Sequence, residues 1–333
     1  MLSIKKTVNK PMSELLNSQN LIDLFREQLS TWEQARENYE ALNRVKTKEI
    51  VVNGFPFKVQ FNPARIVSSA AKVDVKSIQE RKCFLCKENR PVVQRGLDYI
   101  NTSDNADHYT VLINPFPIFP KHLTIPLLKH QDQLIYGRFD AMLNIAKELP
   151  QYTLFYNGPK CGASAPDHFH FQAGNRGFLP IETEMSRLRK SVIFKNKTTA
   201  LYEVTSGING VLFMETSSKG ESISVFNKIY STLEIKDGDK EPMLNILCWF
   251  NEGVWNIAFY MRSKHRPLHY FAEGDSNILL SPASVDLGGV FITPLEKDFK
   301  KISARDIKEI LEEVCISFEE LHLLASKIKA ILY

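Results

Sequence analysis

The 333-residue chain is 44% hydrophobic and 24% charged, an ordinary globular balance that excludes a disordered or fibrous polymer and allows one large domain or two smaller ones. Its 42 basic and 38 acidic residues leave a formal charge of +4, too small and too scattered to argue for nucleic acid or a membrane surface as partner. No apolar run is long enough to cross a bilayer, and Met1-Leu2-Ser3-Ile4-Lys5-Lys6 lacks the apolar stretch of a secretory signal. Five cysteines suit a reducing compartment, so the expectation is a cytoplasmic protein.

From about Ser13 to Leu42, Leu15, Leu16, Leu21, Leu24, Phe25, Leu29 and Trp32 recur at helical spacing, which predicts one long or two shorter amphipathic helices. Asn53-Gly54 then separates two apolar runs within Glu49–Phe61, the signal of a β-hairpin. Tyr109–Ile113 and His122–Pro126 read as strands around a proline-rich loop, residues 131 to 149 carry a helical stripe, and Tyr152–Tyr156 reads as a strand. Further on, Val211–Glu215 and Met243–Met261 read as strands, the latter broken at Asn251-Glu252-Gly253. Ser303, with Asp306 three residues on, caps a helical C-terminal segment. The class is α+β with an antiparallel sheet, and a soft boundary near 185 separates residues 1–185 from 186–333. Cys161, Cys248 and Cys315 read as small buried apolar residues, and His108 and His322 as structural.

Most of the chemistry is concentrated between Asn157 and Gly174. In a strand, alternation sends His168, His170 and Gln172 to one face and Phe169 and Phe171 to the other. The Gly, Ser and Pro run before them supplies backbone N–H groups and a hydroxyl suited to phosphate oxygens. Imidazole is largely uncharged and nucleophilic near neutral pH, and a phosphoramidate is labile enough to serve as an intermediate. A phosphate-binding turn beside a nucleophile points to attack on phosphorus. A separate pair, Cys83-Phe84-Leu85-Cys86, lies in no thioredoxin-like pattern and reads as a zinc site rather than a redox pair; His130 and His168 are the candidates to complete it, with His122 the rival to His130.

The segment His168-Phe-His-Phe-Gln172 resembles the histidine-triad superfamily, and within it the galactose-1-phosphate uridylyltransferase branch, which has His-x-His-x-Gln and includes dinucleoside tetraphosphate phosphorylases and GDP-hexose phosphorylases. Ala165-Pro166-Asp167 leaves one residue more between Ser164 and His168 than the uridylyltransferases have, and His168-Phe-His-Phe-Gln-Ala173 resembles the GDP-hexose phosphorylases more closely. The resemblance implies a histidine-triad-like fold of two halves forming an internal pseudo-dimer, with the catalytic half in 1–185 and a second α+β half in 186–333 completing the substrate pocket. It implies that His170 takes up the nucleotidyl group, that Gln172 donates to a phosphate oxygen, and that Asn157, Gly162 and Ser164 match the branch's substrate-binding asparagine and Gly-x-Ser elements. It also implies a structural zinc on Cys83, Cys86, His130 and His168, an assignment that spacing alone does not make.

Arg65, Arg262 and Arg266 follow strand-like runs and are further candidates for phosphate, because guanidinium pairs bidentately with its oxygens; Lys264 reads as a solvated residue. The expected function is transfer of a nucleotidyl group from an NDP-sugar or dinucleoside polyphosphate to phosphate or a sugar phosphate. The alternatives are a metal-dependent phosphohydrolase, in which His168 and His170 share a catalytic ion, and a non-catalytic nucleotide-binding protein.

Overall fold

A computed structural model describes residues 15–66, 73–102 and 107–333. Ser13, where the first helix was expected to begin, and the opening Met1–Lys6 lie outside the described residues. The N-terminal apolar stripe forms two helices, Ser18–Thr31 and Glu33–Leu42, which break at the extended residue Trp32. The hairpin follows as strands β1 (Lys46–Val52) and β2 (Phe55–Phe61). Its two-residue turn needs left-handed backbone at both positions, which Asn53 (φ 51°) and Gly54 (φ 81°) provide.

The rest of the first half contributes β3 (Gly96–Ile100), β4 (His108–Ile113), β5 (His122–Pro126), β6 (Tyr152–Asn157) and β7 (His170–Asn175). The second half contributes β8 (Lys190–Lys195), β9 (Thr199–Val204), β10 (Val211–Thr216), β11 (Leu244–Asn251), β12 (Val254–Met261) and β13 (Val290–Thr293). Ten of these strands form one sheet in the order β3-β4-β5-β7-β6-β11-β12-β10-β9-β8, while β1, β2 and β13 form a second sheet.

Read inward from either edge, the large sheet repeats itself. Each five-stranded half runs first, second, third, fifth, fourth in its own chain order, and in each a helix joins the third strand to the fourth: Phe139–Glu148 in one, Lys219–Thr232 in the other. Matching the hairpin ends Tyr152↔Asn175 and Leu244↔Met261 makes Phe155 equivalent to Leu247, and these two residues pair with each other across the centre. That is the signature of a pseudo-two-fold axis between β6 and β11. The fold is α+β, with antiparallel strands in the large sheet and flanking helices.

Alternation along β7 divides its side chains between two cores. Phe169, Phe171 and Ala173 pack with Phe139, Leu143 and Phe226 on the helix-covered face. The opposite face, carrying Phe119, Phe155 and Leu247, is covered by the small sheet and the helix Ala304–Val314. Phe169 and Phe171 are fully buried, each worth about 1.5–3 kcal/mol in apolar burial, which fixes which face of β7 is left for chemistry.

The structure departs from the sequence reading in three places. The stripe at 131–149 forms a helix only over Phe139–Glu148; before it the chain turns through Gly137 (φ 78°), and the Ile135 N–H is taken by the Glu241 carboxylate at 2.9 Å. His168 does not belong to the strand, because β7 begins at His170. The C-terminal helical stretch is two helices, Ala304–Val314 and Phe318–Leu332, each opened by a serine capping box. No helix among the described residues is long and apolar enough to cross a membrane.

Candidate active site and metal-binding cluster

Where β6 and β7 end, their ladder is opened by a side chain from elsewhere. Gln133, wholly buried, accepts the His170 backbone N–H at 2.7 Å and donates through Nε2 to the carbonyls of His170 and Asn157, both at 3.0 Å. One carboxamide thus stands in for a strand and holds the two segments apart at the residues expected to act. Nothing in the sequence marks Gln133; its partners lie 24 and 37 residues away.

His170 has its ring fixed by its own backbone. A carbonyl can only accept, so the Nδ1–H donates to the His168 carbonyl at 2.8 Å, and Nε2 is left with its lone pair and no partner among the described residues. Burial pulls the His170 imidazole down to about 4 against the raising effect of the hydrogen bond to the His168 carbonyl, so at neutral pH it is uncharged.

Two carboxamides flank it. Phe155 pairs with Gln172, so Asn157, two residues along β6, shares the face that carries Gln172 and His170. Gln172 has its oxygen taken by His122: the Ile118 N–H donates to His122 Nδ1 at 3.2 Å, which leaves the proton on Nε2, and Nε2–H donates to Gln172 Oε1 at 3.1 Å. Burial, and the nearby Arg65, pull His122 down to about 3, consistent with this neutral tautomer. Asn157 Oδ1 accepts from Asn245 Nδ2 at 2.8 Å and Ser284 N at 2.9 Å, and the single proton of the Ser284 hydroxyl lies between Asn157 Oδ1 at 2.7 Å and the Tyr156 carbonyl at 2.8 Å. Neither amide nitrogen, Gln172 Nε2 nor Asn157 Nδ2, has a partner among the described residues. Two amide donors and an imidazole lone pair therefore share one face of the sheet, each with its protein-facing atom satisfied.

The remaining candidates divide. Gly162 (φ 91°) sits where a Cβ would lie 2.5 Å from that of Ala283, so only glycine lets the turn press against the segment carrying Ser284. Ser164 is half-buried, and its hydroxyl is without a partner among the described residues. Arg65 donates to the Phe116 carbonyl at 2.8 Å and lies close enough to Asp286 to feel its charge and close enough to His122 to disfavour that ring's protonation. Arg266 stacks on Tyr270, 4.1 Å from the ring centroid, and donates from Nε to Ser281. Arg262 is buried, and its five N–H groups go to Val314 O, Asn245 Oδ1, Pro282 O, Lys264 O and His265 O. It holds the protein together here, where the sequence suggested a direct phosphate contact.

Cys83, Cys86, His130 and His168 converge, their donor atoms all within 4.8 Å of one another. His168 Nδ1 lies 3.2 Å from Cys83 Sγ and 3.2 Å from His130 Nδ1, and Cys86 Sγ lies 3.2 Å from His130 Nδ1. Metal–ligand bonds of about 2.0–2.3 Å in a tetrahedron separate neighbouring ligands by roughly 3.3–3.8 Å, so two thiols and two imidazoles at these distances suit a zinc ion. His168 Nε2–H donates to the Leu127 carbonyl at 2.7 Å, which leaves Nδ1 as the coordinating atom. His168 thus joins the cysteine cluster, of which His170 is not a member. The rival His122 is elsewhere, holding Gln172.

A family model described as "Domain of unknown function (DUF4922)" matches residues 24–175, the stretch that carries both the cysteine pair and the histidine motif. No curated protein matches the chain. Among solved structures, yeast Ap4A phosphorylase Apa2 is similar with a TM-score of 0.53 at 14% identity, over 86% of this chain and 94% of that one. Its complex with AMP gives 0.53 at 15% identity, covering 87% and 97%, and its complex with Ap4A gives 0.52 at 13% identity, covering 86% and 97%. At such identities the likeness establishes the fold: this chain has the histidine-triad-like α+β architecture seen in the yeast Ap4A phosphorylase.

Proposed function

We propose that this chain is a nucleotidyltransferase of the phosphorylase type, which moves a nucleoside monophosphate from a nucleotide-linked substrate, a dinucleoside polyphosphate or an NDP-sugar, to phosphate or a sugar phosphate. The observation that carries the reading is the arrangement at His170: a neutral imidazole with a free Nε2, between two amides whose oxygens are already bound. The reported complexes of the yeast phosphorylase with Ap4A and AMP support a dinucleoside polyphosphate as the first substrate to try.

The reaction has two displacements. The His170 Nε2 lone pair attacks the α-phosphorus; the N–P bond forms while the P–O bond to the remaining phosphate chain breaks, its electron pair leaving with that oxygen. Gln172 Nε2 and Asn157 Nδ2 donate to the phosphoryl oxygens as charge builds there, and because the protein has fixed both amides beforehand, little reorganisation is needed. An acceptor oxygen then attacks the same phosphorus, and the electron pair of the N–P bond returns to the imidazole. The positive charge on the phosphorylated ring is delocalised toward the His168 carbonyl through Nδ1–H. Arg65, Ser164 and Arg266 are the residues we assign to the remaining phosphates, because guanidinium and hydroxyl groups donate to phosphate oxygens.

The residues that would hold zinc are Cys83, Cys86, His130 and His168; four protein ligands leave no open position, so the ion would be structural. Its bearing on the reaction runs through this chain alone: fixing His168 fixes the carbonyl that orients His170.

Mixing the protein with radiolabelled dinucleoside polyphosphates and NDP-sugars without an acceptor, quenching, and mapping the label tests the reading. A nucleotide attached through nitrogen to His170, released on adding phosphate or a sugar phosphate, is the expected result. Full turnover with His170 replaced would overturn it and bring forward direct attack by water.

A further inference from the structure

The second half of the sheet carries no histidine at the positions matching the motif, yet Asn245 on β11 touches the site and Arg262 is tied to it through Asn245. Arg262, at the end of β12, donates from Nη1 to Asn245 Oδ1 at 2.7 Å. A guanidinium can only donate, so this bond decides which end of the Asn245 amide is oxygen. The amide nitrogen of Asn245 must then face the other way, and it donates to Asn157 Oδ1 at 2.8 Å and to the Cys161 carbonyl at 2.7 Å. The same logic passes on to Asn157. With its oxygen held by Asn245 and by Ser284, its Nδ2 is left for the reacting face.

All members of this chain are buried: Arg262 is 4%, Asn245 0%, Asn157 5% and Ser284 0% exposed. Flipping Asn157 in place would set an N–H pair against two N–H donors, Asn245 Nδ2 and Ser284 N, each mismatch costing about 1–3 kcal/mol. The relay therefore selects one orientation by a wide margin. Arg262's hydrogen-bond acceptors are all neutral, so nothing in the relay itself cancels its charge.

We infer that Asn245 and Arg262 are positioning residues of the second half, which aim the Asn157 amide at the phosphoryl group held on His170. This rests on the nucleotidyl-transfer reading for its chemistry, although the orientation itself is a property of the protein alone. Half of the pseudo-dimer thus supplies the nucleophile, and the other supplies the reference against which one of the two flanking donors is set.

Asn245→Asp is the sharpest test. The carboxylate keeps the size and still accepts from Arg262, but it has no N–H to give, and it turns an oxygen toward Asn157 Oδ1. Asn157 should then rotate, turning its oxygen toward the site. The expected results are adduct formation slowed about 10- to 100-fold in single turnover, AMP affinity changed by less than about threefold, and an altered Asn157 side-chain amide resonance, assigned by its absence in Asn157→Ala. In an Asn157→Ala background, Asn245→Asp should slow the reaction by no more than about twofold further, because coupled residues are non-additive. If Asn245→Asp does not fold, Ser284→Ala should give a smaller slowing in the same direction. An unchanged resonance with an unchanged rate, or an undiminished effect in the Asn157→Ala background, overturns the relay. A wild-type protein that forms no adduct with any nucleotide, while the Asn157 resonance still responds to Asn245→Asp, overturns the transfer reading and leaves the relay standing.

Discussion

The two five-stranded halves of the sheet have the same strand order and the same connecting helix, and they differ at the positions that matter for chemistry. By the matched register, His170 corresponds to Asn256, Gln172 to Ala258 and His122 to Val211. The polar pair of the first half, His122 and Gln172, has Val211 and Ala258 in the second, both buried in apolar packing. A repeated backbone thus sets where a site can lie; the side chains decide whether there is one. Along its seam with the first half, the second half keeps a buried polar residue at Asn245, held in turn by Arg262.

The comparison can be broken by moving its parts. His170→Gly should lower adduct formation by at least about 10,000-fold, the scale for losing a nucleophile. Placing histidine and glutamine in the second half, Asn256→His with Ala258→Gln, should restore none of it, since that half has no counterpart of His122; rapid-quench labelling of the double variant in a His170→Gly background measures this. Removal of metal by a chelator, or Cys83→Ser, should lower the thermal midpoint by roughly 10 °C or more, because the cluster ties the loop at Cys83–Cys86 to His130 and to the segment before β7. Calorimetry with elemental analysis checks it, and an unchanged midpoint in metal-free protein would remove the cluster from the account.

How much of this could be read from the sequence follows from how far apart the partners lie. The hairpin at Asn53-Gly54 and the capping box at Ser303 were legible because each is decided within four residues. His170 and Gln172 were legible because they sit in one short motif, and the four metal-binding candidates through the family resemblance. Gln133, Asn245 and Ser284 were not, since their roles depend on partners 24 to 127 residues away. Alternation correctly divided Phe169 and Phe171 from His170 and Gln172, but placed His168 on the strand. There the chain has already left the ladder, and His168 turns to the cysteines. Arg262 shows the opposite error: a strand-end arginine looks like a phosphate ligand until its five donors are counted.

Smaller effects sharpen the contrast. Gln172→Ala should slow adduct formation by roughly 10- to 1000-fold, the range for one preorganised donor to a charged oxygen. His122→Phe keeps the aromatic packing against Phe119 and Phe155 but frees Gln172 to turn, so it should slow the step by about 5- to 30-fold, one lost hydrogen bond's worth. Single-turnover kinetics of both variants and of the pair would show the coupling; strict additivity would mean that His122 does not act through Gln172.

The smallest effect concerns pH. His122 is held at about 3, well below the roughly 6.5 of an unfolded histidine, so protonation favours the unfolded chain. Its contribution to stability is complete above about pH 6.5 and is lost as pH falls toward 3, by up to about 1.4 kcal/mol per unit. His122→Phe should flatten the acid side of a plot of thermal midpoint against pH, and identical slopes in the two proteins would show that the imidazole does not stay neutral in the fold.

The central claim, one nucleophile in one half, is tested most directly by the stoichiometry and position of the trapped intermediate. Wild-type protein mixed with α-labelled dinucleoside polyphosphate in the absence of acceptor, quenched within one turnover and digested for mass spectrometry, should carry close to one nucleoside monophosphate per chain. The label should be acid-labile and base-stable and should map to His170 alone. Label on a serine or on the second half, or rapid product formation with no label at any time point, would contradict the account.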